Sequence, residues 1–553
     1  MIRLKGGRLY DPANGVDGKI ADLYLHGGRI VDVPAMGVRI DREYDIAGRV
    51  VMAGAIDLHT HIGGGKVNLA RAMLPEDHRD HAFAASDLTR AGSGYAAPST
   101  FATGYRYAEM GYTACFEPAV LPVNARQAHM EMGDTPIIDK GGYALLGNDD
   151  FLLRLIAAGA DQGTINDYVA WTLHAAQCIG IKVVNPGGIS AFKFNARKLD
   201  VDDLHPHYQI TPRMILRTLA RALHALSVPF PLHVHASNLG VPGNVESTLA
   251  TMDAAEGLPI HLTHIQFHSY GREGERKFSS AARQVADAIN SRDNVSADVG
   301  QIMFGQTVTA SGDTMAQYRN SRHAHPGKWL CMDIECDAGC GVVPFRYRDE
   351  NFVNALQWAI GLEIFLRVKD PWRIFLTTDH PNGAPFTSYP HLIRLLMDRS
   401  FRNSKLAQIH PDAAAHSELS GMDREYSLYE IAIMTRAGPA RSLGLEDRGH
   451  LGAGAAADVT VYKELPDRER MFAAPEYVFK DGELVVESGR IVKVVRGGTH
   501  VVQPAFDRGI GKTLREYFSR FHTMRFDNFP ISAEELAECG SRETLVHACS
   551  RKH

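Results

Sequence analysis

VMAGAIDLHTH, residues Val51–His61, is the stretch that decides the expected fold, because an apolar strand runs directly into two histidines. Successive side chains of a strand alternate between its faces, so His59 and His61 point the same way and can bind one metal ion together. Zinc is the usual partner of imidazole ligands. A single H-x-H pair is a weak signal in a chain with 26 histidines, and a hydrogen-bonded or solvated pair is the alternative.

Apolar strand-like segments alternate with longer helical stretches through the central region, which is the pattern of a βα fold. Several of these segments end in a polar or ionisable residue, and (β/α)₈ barrels place their chemistry at the C-terminal ends of their strands. We therefore predict an α/β fold with a TIM-like (β/α)₈ barrel. Its eight strands are predicted at Ala55–His61, Tyr112–Pro118, Tyr143–Leu146, Gly180–Val184, Phe230–His235, Pro259–His264, Val295–Val299 and Ile374–Asp379.

Short strand-like segments separated by glycine and proline occur at both ends of the chain. We predict that residues 1–52 and 436–505 together form one small β-sandwich domain beside a barrel of residues 53–435. Residues 506–553 show no clear period and are expected to be a tail that wraps the body or a partner.

Composition narrows the class of protein. The chain is 45% hydrophobic and 22% charged with a formal net charge of −5, which argues against a nucleic-acid-binding surface. No apolar run has the length of a membrane span, and residues 1–15 lack the apolar core of a secretory signal. We expect a cytoplasmic enzyme that binds neither nucleic acid nor membrane.

The seven cysteines are dispersed and odd in number, which is a poor disulfide framework. Cys331, Cys336 and Cys340 lie close together in sequence but lack the C-x-x-C spacing of a metal site. We therefore expect buried thiols and no iron–sulfur cluster.

Other strands offer further metal ligands. His233 and His235 form a second H-x-H pair, and His261 and His264 form a wider one. The last predicted strand ends on Asp379, which can bind a metal through one carboxylate oxygen and transfer a proton through the other. The alternative for Asp379 is a helix N-cap.

Lys182 lies inside the apolar segment Ile181–Val184. Burying an ammonium group is costly unless it is paired or chemically altered. Reaction with carbon dioxide would give a carbamate, an anionic ligand that can bridge two metals. A lysine that reaches solvent or forms a salt bridge is the alternative.

Together these residues resemble the amidohydrolase superfamily pattern, with H-x-H on strand one, Lys on strand four, His on strands five and six, and Asp on strand eight. Leu443–Tyr462 (LGLEDRGHLGAGAAADVTVY) also resembles the return of that superfamily into its β domain. The resemblance implies two divalent metal ions, expected to be zinc, and a carboxylated Lys182. Lys193 resembles the strand-four lysine of hydantoinase-type relatives and is the alternative carbamate site. The implied ligands are His59, His61, Lys182, His235, His264 and Asp379.

A narrower resemblance, to the family of A subunits of formylmethanofuran dehydrogenases and of bacterial formyltransferase/hydrolase complexes, covers most of the chain. KVVNPGG at Lys182–Gly188 favours Lys182 over Lys193 as the bridging ligand, and ARQAHME at Ala125–Glu131 favours the bacterial type. The other matching stretches are Gly63–Asp77, Pro98–Pro118, His235–Asn244, His261–Gly271, Gly339–Phe345 and Leu376–Phe386.

This resemblance implies a binuclear amidohydrolase that acts on a linear amide. It would hydrolyse the N-formyl amide of a formylmethanofuran-type C1 carrier to formate and free amine, with Asp379 as the proton-transferring group. Its partners would be the B, C and D subunits of a formyltransferase/hydrolase complex in one-carbon metabolism. The alternatives are a formate-condensing A subunit of the archaeal type, a hydantoinase- or dihydroorotase-like cyclic amidase, and a non-catalytic scaffold subunit.

Methanofuran-type carriers, as the resemblance implies, have an anionic glutamyl tail and a flat aromatic end. A net-acidic protein needs a local basic groove to hold such a tail. Pairing of each basic residue with a nearby carboxylate is the alternative. The expected substrate-binding residues are Lys66, Arg71 and Arg106 for the tail and Tyr105 and Tyr270 for the aromatic end.

Overall fold

A computed structural model of the chain describes residues 1–196, 198–311 and 341–550, with the backbone alone for residues 330–331. Cys336 and Cys340 lie outside the described residues. Cys115 and Cys178 are buried free thiols, as expected, and Cys539 and Cys549 are free and partly buried. No described helix is long and apolar enough to cross a membrane.

The centre of the fold is a parallel sheet of eight strands that follow one another in chain order, each paired with the next. The first and last strands meet at a bridge between Thr60 and His380, where the His61 amide donates a 2.9 Å hydrogen bond to the His380 carbonyl. This arrangement confirms the predicted barrel. Its strands are β1 (Ala55–Asp57), β2 (Tyr112–Val120), β3 (Asp139–Leu146), β4 (Gly180–Val184), β5 (Leu232–His235), β6 (Ile260–Leu262), β7 (Val295–Asp298) and β8 (Ile374–Phe375).

Strands β1, β6 and β8 are shorter than predicted at their C-terminal ends. His264 and Asp379, predicted as the last residues of β6 and β8, adopt left-handed backbone angles, with φ of 37° and 49°. A strand cannot continue through that conformation, so the backbone turns at His264 and at Asp379, which are both predicted metal ligands. Non-glycine residues held in this region are strained, and such strain is concentrated at functional sites.

Helices cover the outside of the barrel. Pro212–Ala225 illustrates why they form: Thr211 caps it by accepting from the Met214 amide, and its apolar residues repeat along one face that packs against the sheet. The longer helices of the barrel region are Gly65–Met73, Thr100–Glu109, Ala125–Asp134, Asp150–Ala157, Gln162–Ala176, Pro212–Ala225, Val245–Ala254, Ala282–Ser291, Phe352–Arg367, Tyr389–Met397 and Arg399–Leu406.

A second, nine-stranded sheet is built from both ends of the chain, as predicted. Val459–Lys463 pairs antiparallel with Arg49–Ala53 and so joins the two halves. Its own apolar core includes Leu4, Ile46 and Phe479. The remaining strands are Ile2–Asp11, Val16–His26, Arg29–Val31, Arg42–Asp45, Tyr477–Lys480, Glu483–Glu487 and Arg490–Ile491.

The C-terminal segment wraps the barrel. Thr499–Val502 pairs with the start of β3, and Thr544–His547 pairs in turn with Thr499–Val502. Between them, helices Ile510–Phe521 and Ala533–Glu538 lie on the barrel surface. Trp171 of the barrel stacks on Phe526 and Phe529, with ring centroids 5.6 and 5.3 Å apart. The domain boundaries given above stay predictions.

Candidate active site

The six predicted metal ligands converge at the C-terminal end of the barrel. All are buried, with 0% to 4% of their surface exposed. Five of them line a single small cavity together with Lys66, Asn382 and the strand Gly305–Ser311. The sixth, His59, lies directly beneath it against Asp379. The five lining ligands are His61, Lys182, His235, His264 and Asp379.

Asp379 lies between the histidines of strand one. Its Oδ1 is 2.8 Å from His59 Nε2 and 3.6 Å from His61 Nε2, so one carboxylate oxygen faces both imidazoles. The other oxygen accepts a 2.8 Å hydrogen bond from the Asn382 side-chain amide. Asn382 therefore orients one carboxylate oxygen of Asp379, while the other oxygen faces His59 and His61.

Asp298, at the end of β7, lies beneath the cavity and contacts several of the residues around it. It accepts hydrogen bonds from the His264 amide at 2.8 Å and the Thr377 hydroxyl at 2.8 Å. Its second oxygen lies 3.1 Å from His261 Nε2 and 3.5 Å from His59 Nδ1. The Nδ1 atom of His59 is therefore engaged from below, by Asp298 and, at 2.8 Å, by His233 Nε2, so the Nε2 atom faces Asp379.

Glu117, near the end of β2, plays the same part for His61. Its carboxylate lies 2.8 Å from His61 Nδ1 and accepts from the Ile62 and Gly63 amides at 2.7 and 3.1 Å. These bonds fix the ring so that Nε2 faces Asp379 and the cavity. A carboxylate behind a histidine ligand is the usual supporting arrangement of metal sites.

His235 and His264 face each other across the cavity with ring centroids 4.7 Å apart. His268 adds a third ring 5.1 Å from His235 and 5.3 Å from His264. The Nδ1 atom of His264 is buried and finds no hydrogen-bond partner among the described residues. A buried, unsatisfied nitrogen in such a cluster is suited to a metal ion.

The electrostatics fit metal binding. Burial, with Lys182 nearby for His235, holds the pKa values of His235 and His264 well below their usual range, so both rings are neutral and can donate a lone pair. Burial would raise the pKa of Asp379, but the histidines that face it outweigh burial, with a 2.8 Å hydrogen bond to His59 among these contacts, and hold that pKa well below the ordinary value. Neutral imidazoles beside an ionised carboxylate are the forms that divalent metals require.

Lys182 is better placed than Lys193 to be the bridging ligand. Burial lowers the pKa of Lys182 to about 8, which raises the fraction of neutral amine that can react with carbon dioxide. Lys193 is exposed and lines a different cavity. The geometry and the KVVNPGG motif at Lys182–Gly188 therefore both favour Lys182 over Lys193 as the bridging ligand.

The five predicted substrate-binding residues are not brought into one groove. Lys66 is buried and lines the metal cavity. Arg71 donates to the Pro98 and Ile62 carbonyls and lies 3.4 Å from Glu131, as the alternative of local pairing had it. The Tyr105 hydroxyl accepts from the Arg90 amide, while Arg106 packs over Tyr95.

Tyr270 is also buried away from the cavity, where its hydroxyl accepts from the Gln266 and Gln357 side chains. Of the expected groove, only Lys66 therefore lies beside the ligands.

Four residues of this site were not singled out from the sequence. Glu117 and Asp298 each end an apolar strand with a carboxylate, which is the signal that identified Asp379. Asn382 lies in a turn and His268 in the short 3-10 helix Ile265–His268, where spacing carries no such signal. His233, proposed only as half of a pair, contacts His59 Nδ1 at 2.8 Å beneath the cavity.

Gly300 is required beside this site. Its φ is +64°, and a Cβ there would lie 2.4 Å from the His264 Cβ. Only glycine allows the backbone after β7 to approach His264 so closely.

Residues 42–501 match the model of the amidohydrolase family, and the chain belongs to that family. It is 41% identical over 542 residues to the A subunit of the formyltransferase/hydrolase complex Fhc of Methylorubrum extorquens, covering 96% of both chains. It is 40% identical over 555 residues to Protein FwdA of Methanocaldococcus jannaschii, again covering 96% of each. The resemblance seen in the motifs is confirmed.

The fold agrees with these relatives. A chain in the crystal structure of the M. extorquens FhcABCD complex with methylofuran matches with a TM-score of 0.93 and 40% identity, over 99% of this chain and 100% of that chain. Similarity to a dihydroorotase of Syntrophus aciditrophicus, at 44% identity, is confined to 64 residues, or 11% of this chain. The chain is thus a hydrolase-family protein with full-length similarity to a component of the Fhc complex.

Proposed function

We propose that the chain hydrolyses the N-formyl amide of a methylofuran- or methanofuran-type carrier to formate and free amine, as the A component of a cytoplasmic formyltransferase/hydrolase complex with B-, C- and D-type partners. The observation that carries the proposal is the buried set of histidines, lysine and aspartate at one end of the barrel. Its support is the full-length similarity to the A component of Fhc.

The same residues would hold two divalent ions, which we propose to be zinc, with Lys182 carboxylated as the bridge. When bound, such ions lower the pKa of water and polarise a carbonyl oxygen. The remaining ligands would be His59, His61, His235, His264 and Asp379.

Asp379 is the proton-transferring group of the proposal. Its carboxylate is ionised in the buried site, so it can accept a proton from the attacking water. Asn382 holds one of its oxygens in place, and the proton passes to the nitrogen of the departing amine. Water adds to the formyl carbon, the carbon–nitrogen bond breaks, and formate and amine leave.

Lys66 supplies positive charge to the same cavity. Negative charge develops on the formyl oxygen as water attacks, and a preorganised cation lowers the energy of that state. We therefore assign Lys66 to the formyl or formate oxygen rather than to the carrier tail.

The test is formate release by the metal-loaded, full-length chain from an N-formylated methylofuran-type amine. We expect formate and free amine in equal amounts, and no turnover of hydantoin or dihydroorotate. Turnover of a cyclic amide without release of formate would overturn the proposal in favour of the cyclic amidase. A catalyst accelerates both directions, so the direction is tested on the proteins that purify with the chain: a partner that carries molybdenum or tungsten and iron–sulfur clusters would favour the formate-condensing type. This alternative is kept because the chain is 40% identical to FwdA, nearly the same degree as to the A component of Fhc.

A further inference from the structure

A further buried histidine lies against two of the predicted ligands, near the ends of β5 and β6. His268 is 1% exposed, and its ring centroid lies 5.1 Å from that of His235 and 5.3 Å from that of His264. The centroids of His235 and His264 are themselves 4.7 Å apart. The three rings therefore stand at nearly equal separations around one position.

The backbone fixes His268 in this place. His264 has left-handed backbone angles and begins the 3-10 helix Ile265–His268, so the chain turns back on itself directly after the ligand. A helical turn returns side chains three or four positions apart to neighbouring places. Thr248, on helix Val245–Ala254, donates a 2.7 Å hydrogen bond to the His268 carbonyl and holds the end of the turn.

The three rings have the geometry of a metal site. Each can offer one nitrogen such that the three nitrogens lie within 4.8 Å of one another. Tetrahedral zinc with Zn–N bonds of about 2.0–2.1 Å places its nitrogen ligands about 3.4 Å apart, which rotation of the rings can reach. Three histidines are a sufficient protein ligand set for a catalytic zinc ion that keeps one open position.

We propose that His268 is a third histidine ligand of the ion that His235 and His264 hold. The proposal rests on the metal-dependent function argued above, but it concerns metal binding and not turnover. The His268 ring lies beside the metal cavity and is not part of its lining, so we expect the shared ion at the edge of the cavity. Three neutral imidazoles would hold this ion without the bridging Lys182.

The first test uses the full-length chain, with any proteins that purify with it, stripped of metal and reloaded with Zn²⁺ or Co²⁺ alone. Loss of a residue that only supports a ligand costs about 10–100-fold in metal affinity. We therefore expect His268→Gln to weaken the binding of one ion by more than about 100-fold. It should also shift the visible absorption bands of bound Co²⁺, which report the ligands of the ion.

His129→Gln is the matched control for this test. His129 is also a buried histidine, but its Nε2 donates to the Ala176 carbonyl at 2.9 Å, outside the metal cavity. The control should leave zinc affinity and the cobalt spectrum unchanged. An unchanged cobalt spectrum in His268→Gln would overturn the proposal, even with weaker binding, because a supporting residue gives that result. Equal changes in His129→Gln would overturn it as well.

The second test removes the bridging lysine, and elemental analysis counts the ions that remain. We expect Lys182→Met to keep one ion per chain, because three histidines still surround it, and Lys182→Met with His268→Gln to keep none. Loss of both ions from Lys182→Met alone would overturn the proposal, as would one ion retained in the double variant.

These measurements separate the third ligand from the proposed reaction, because neither needs turnover. The expected metal contents and cobalt spectra, in a protein that releases no formate from a formyl amide, would support His268 as a ligand while the deformylase function fails. Formate release by the wild type, with an unchanged cobalt spectrum in His268→Gln, would do the reverse.

Discussion

Lys182 and Lys480 are both fully buried lysines, yet their surroundings are opposite. The Lys480 ammonium lies within 3.2 Å of carboxylate oxygens of Asp139, Asp458 and Asp481, which outweigh burial and raise its pKa. Lys182 lies among histidines, a second lysine and one carboxylate, that of Asp379, and burial outweighs that carboxylate and lowers the pKa of Lys182 to about 8. Lys480 is therefore paired with carboxylates, while the surroundings of Lys182 favour its neutral amine.

This difference in charge pairing distinguishes the two ends of the barrel. At the N-terminal end, Lys480 and Arg448 bind the start of β3 to the terminal sheet through Asp139. At the C-terminal end, the carboxylates contact histidines, while Lys66 and Lys182 line the cavity. A low pKa alone does not mark a site, because Lys140 also has a pKa lowered to about 8 while its amine simply donates to the Thr135 carbonyl.

The largest effect is expected from Asp379→Asn. This change keeps the shape of the side chain but removes the proton acceptor, and it should lower turnover by roughly 10²–10⁴-fold. The fold should stay intact, although loss of the ionised carboxylate beside His59 should lower the melting temperature of the metal-free protein. Steady-state kinetics measures the loss, with Asp161→Asn at an exposed helix N-cap as the control. Deformylation near the wild-type rate would refute the assignment of Asp379.

Substitutions in the charged cluster at the N-terminal end of the barrel, which contains Lys480, Arg448 and Asp139, should change the free energy of unfolding. Lys480→Met leaves buried carboxylates without their main partner, which typically costs about 3–5 kcal/mol. Lys182→Met removes an ammonium that burial disfavours, so the metal-free protein should keep most of its stability. Urea unfolding of both variants measures the contrast. Equal destabilisation by the two substitutions would contradict the distinction between the lysines.

The pH dependence of stability sharpens the same contrast. The pKa of Lys182 falls from an unfolded value near 10.4 to about 8, so the unfolded chain binds more protons between these values and stability rises with pH there. Lys182→Met should remove a rise of roughly 3 kcal/mol between about pH 8 and 10 in the metal-free protein. Lys480 has the opposite shift, so its stabilisation is complete below the unfolded pKa and declines only as pH rises through the raised folded pKa. Identical pH profiles for the wild type and Lys182→Met would rule out the lowered pKa.

A smaller effect is expected at Gly300. Gly300→Ala brings a methyl group against His264, so the ligand must shift and the metal should be held less tightly, at a cost of about 1–3 kcal/mol. Gly159→Ala is the control, since Gly159 has a similar φ of +68° with no heavy atom within 4 Å of the added carbon. Metal retained after dialysis is the measurement, and equal retention in the two variants would mean that close approach to His264 is unimportant.

The sequence predicted the barrel and the place of its ligands because periodicity and strand-end chemistry are local. β4 matched its predicted bounds, and the predicted ligands lie within β4 and β5 or two to four residues beyond the ends of β1, β6 and β8. The supporting carboxylates Glu117 and Asp298 were missed because their role depends on which histidine they meet in space. Arg71 and Tyr270 were predicted to line a substrate groove because they lie in the matching motifs. Position in a motif does not show which way a side chain points, and both side chains bond elsewhere.

The prediction that the tail has no period was wrong for helix Ile510–Phe521, whose buried residues Ile510, Leu514 and Phe518 are spaced by four positions along one helix face. The tail is held on the barrel by aromatic contacts with helix Gln162–Ala176, such as that between Trp171 and Phe529. Such contacts depend on the assembled barrel.

The most direct test of the proposed metal site is a crystal structure of the metal-loaded chain, with anomalous diffraction recorded at the zinc edge. We predict two zinc ions in the cavity bounded by His61, His235 and His264, and density for a carboxylate on the Lys182 amine that reaches both. An unmodified Lys182 amine beside fully occupied metal sites would contradict the bridging lysine, and a single ion held without Lys182 would contradict the binuclear site.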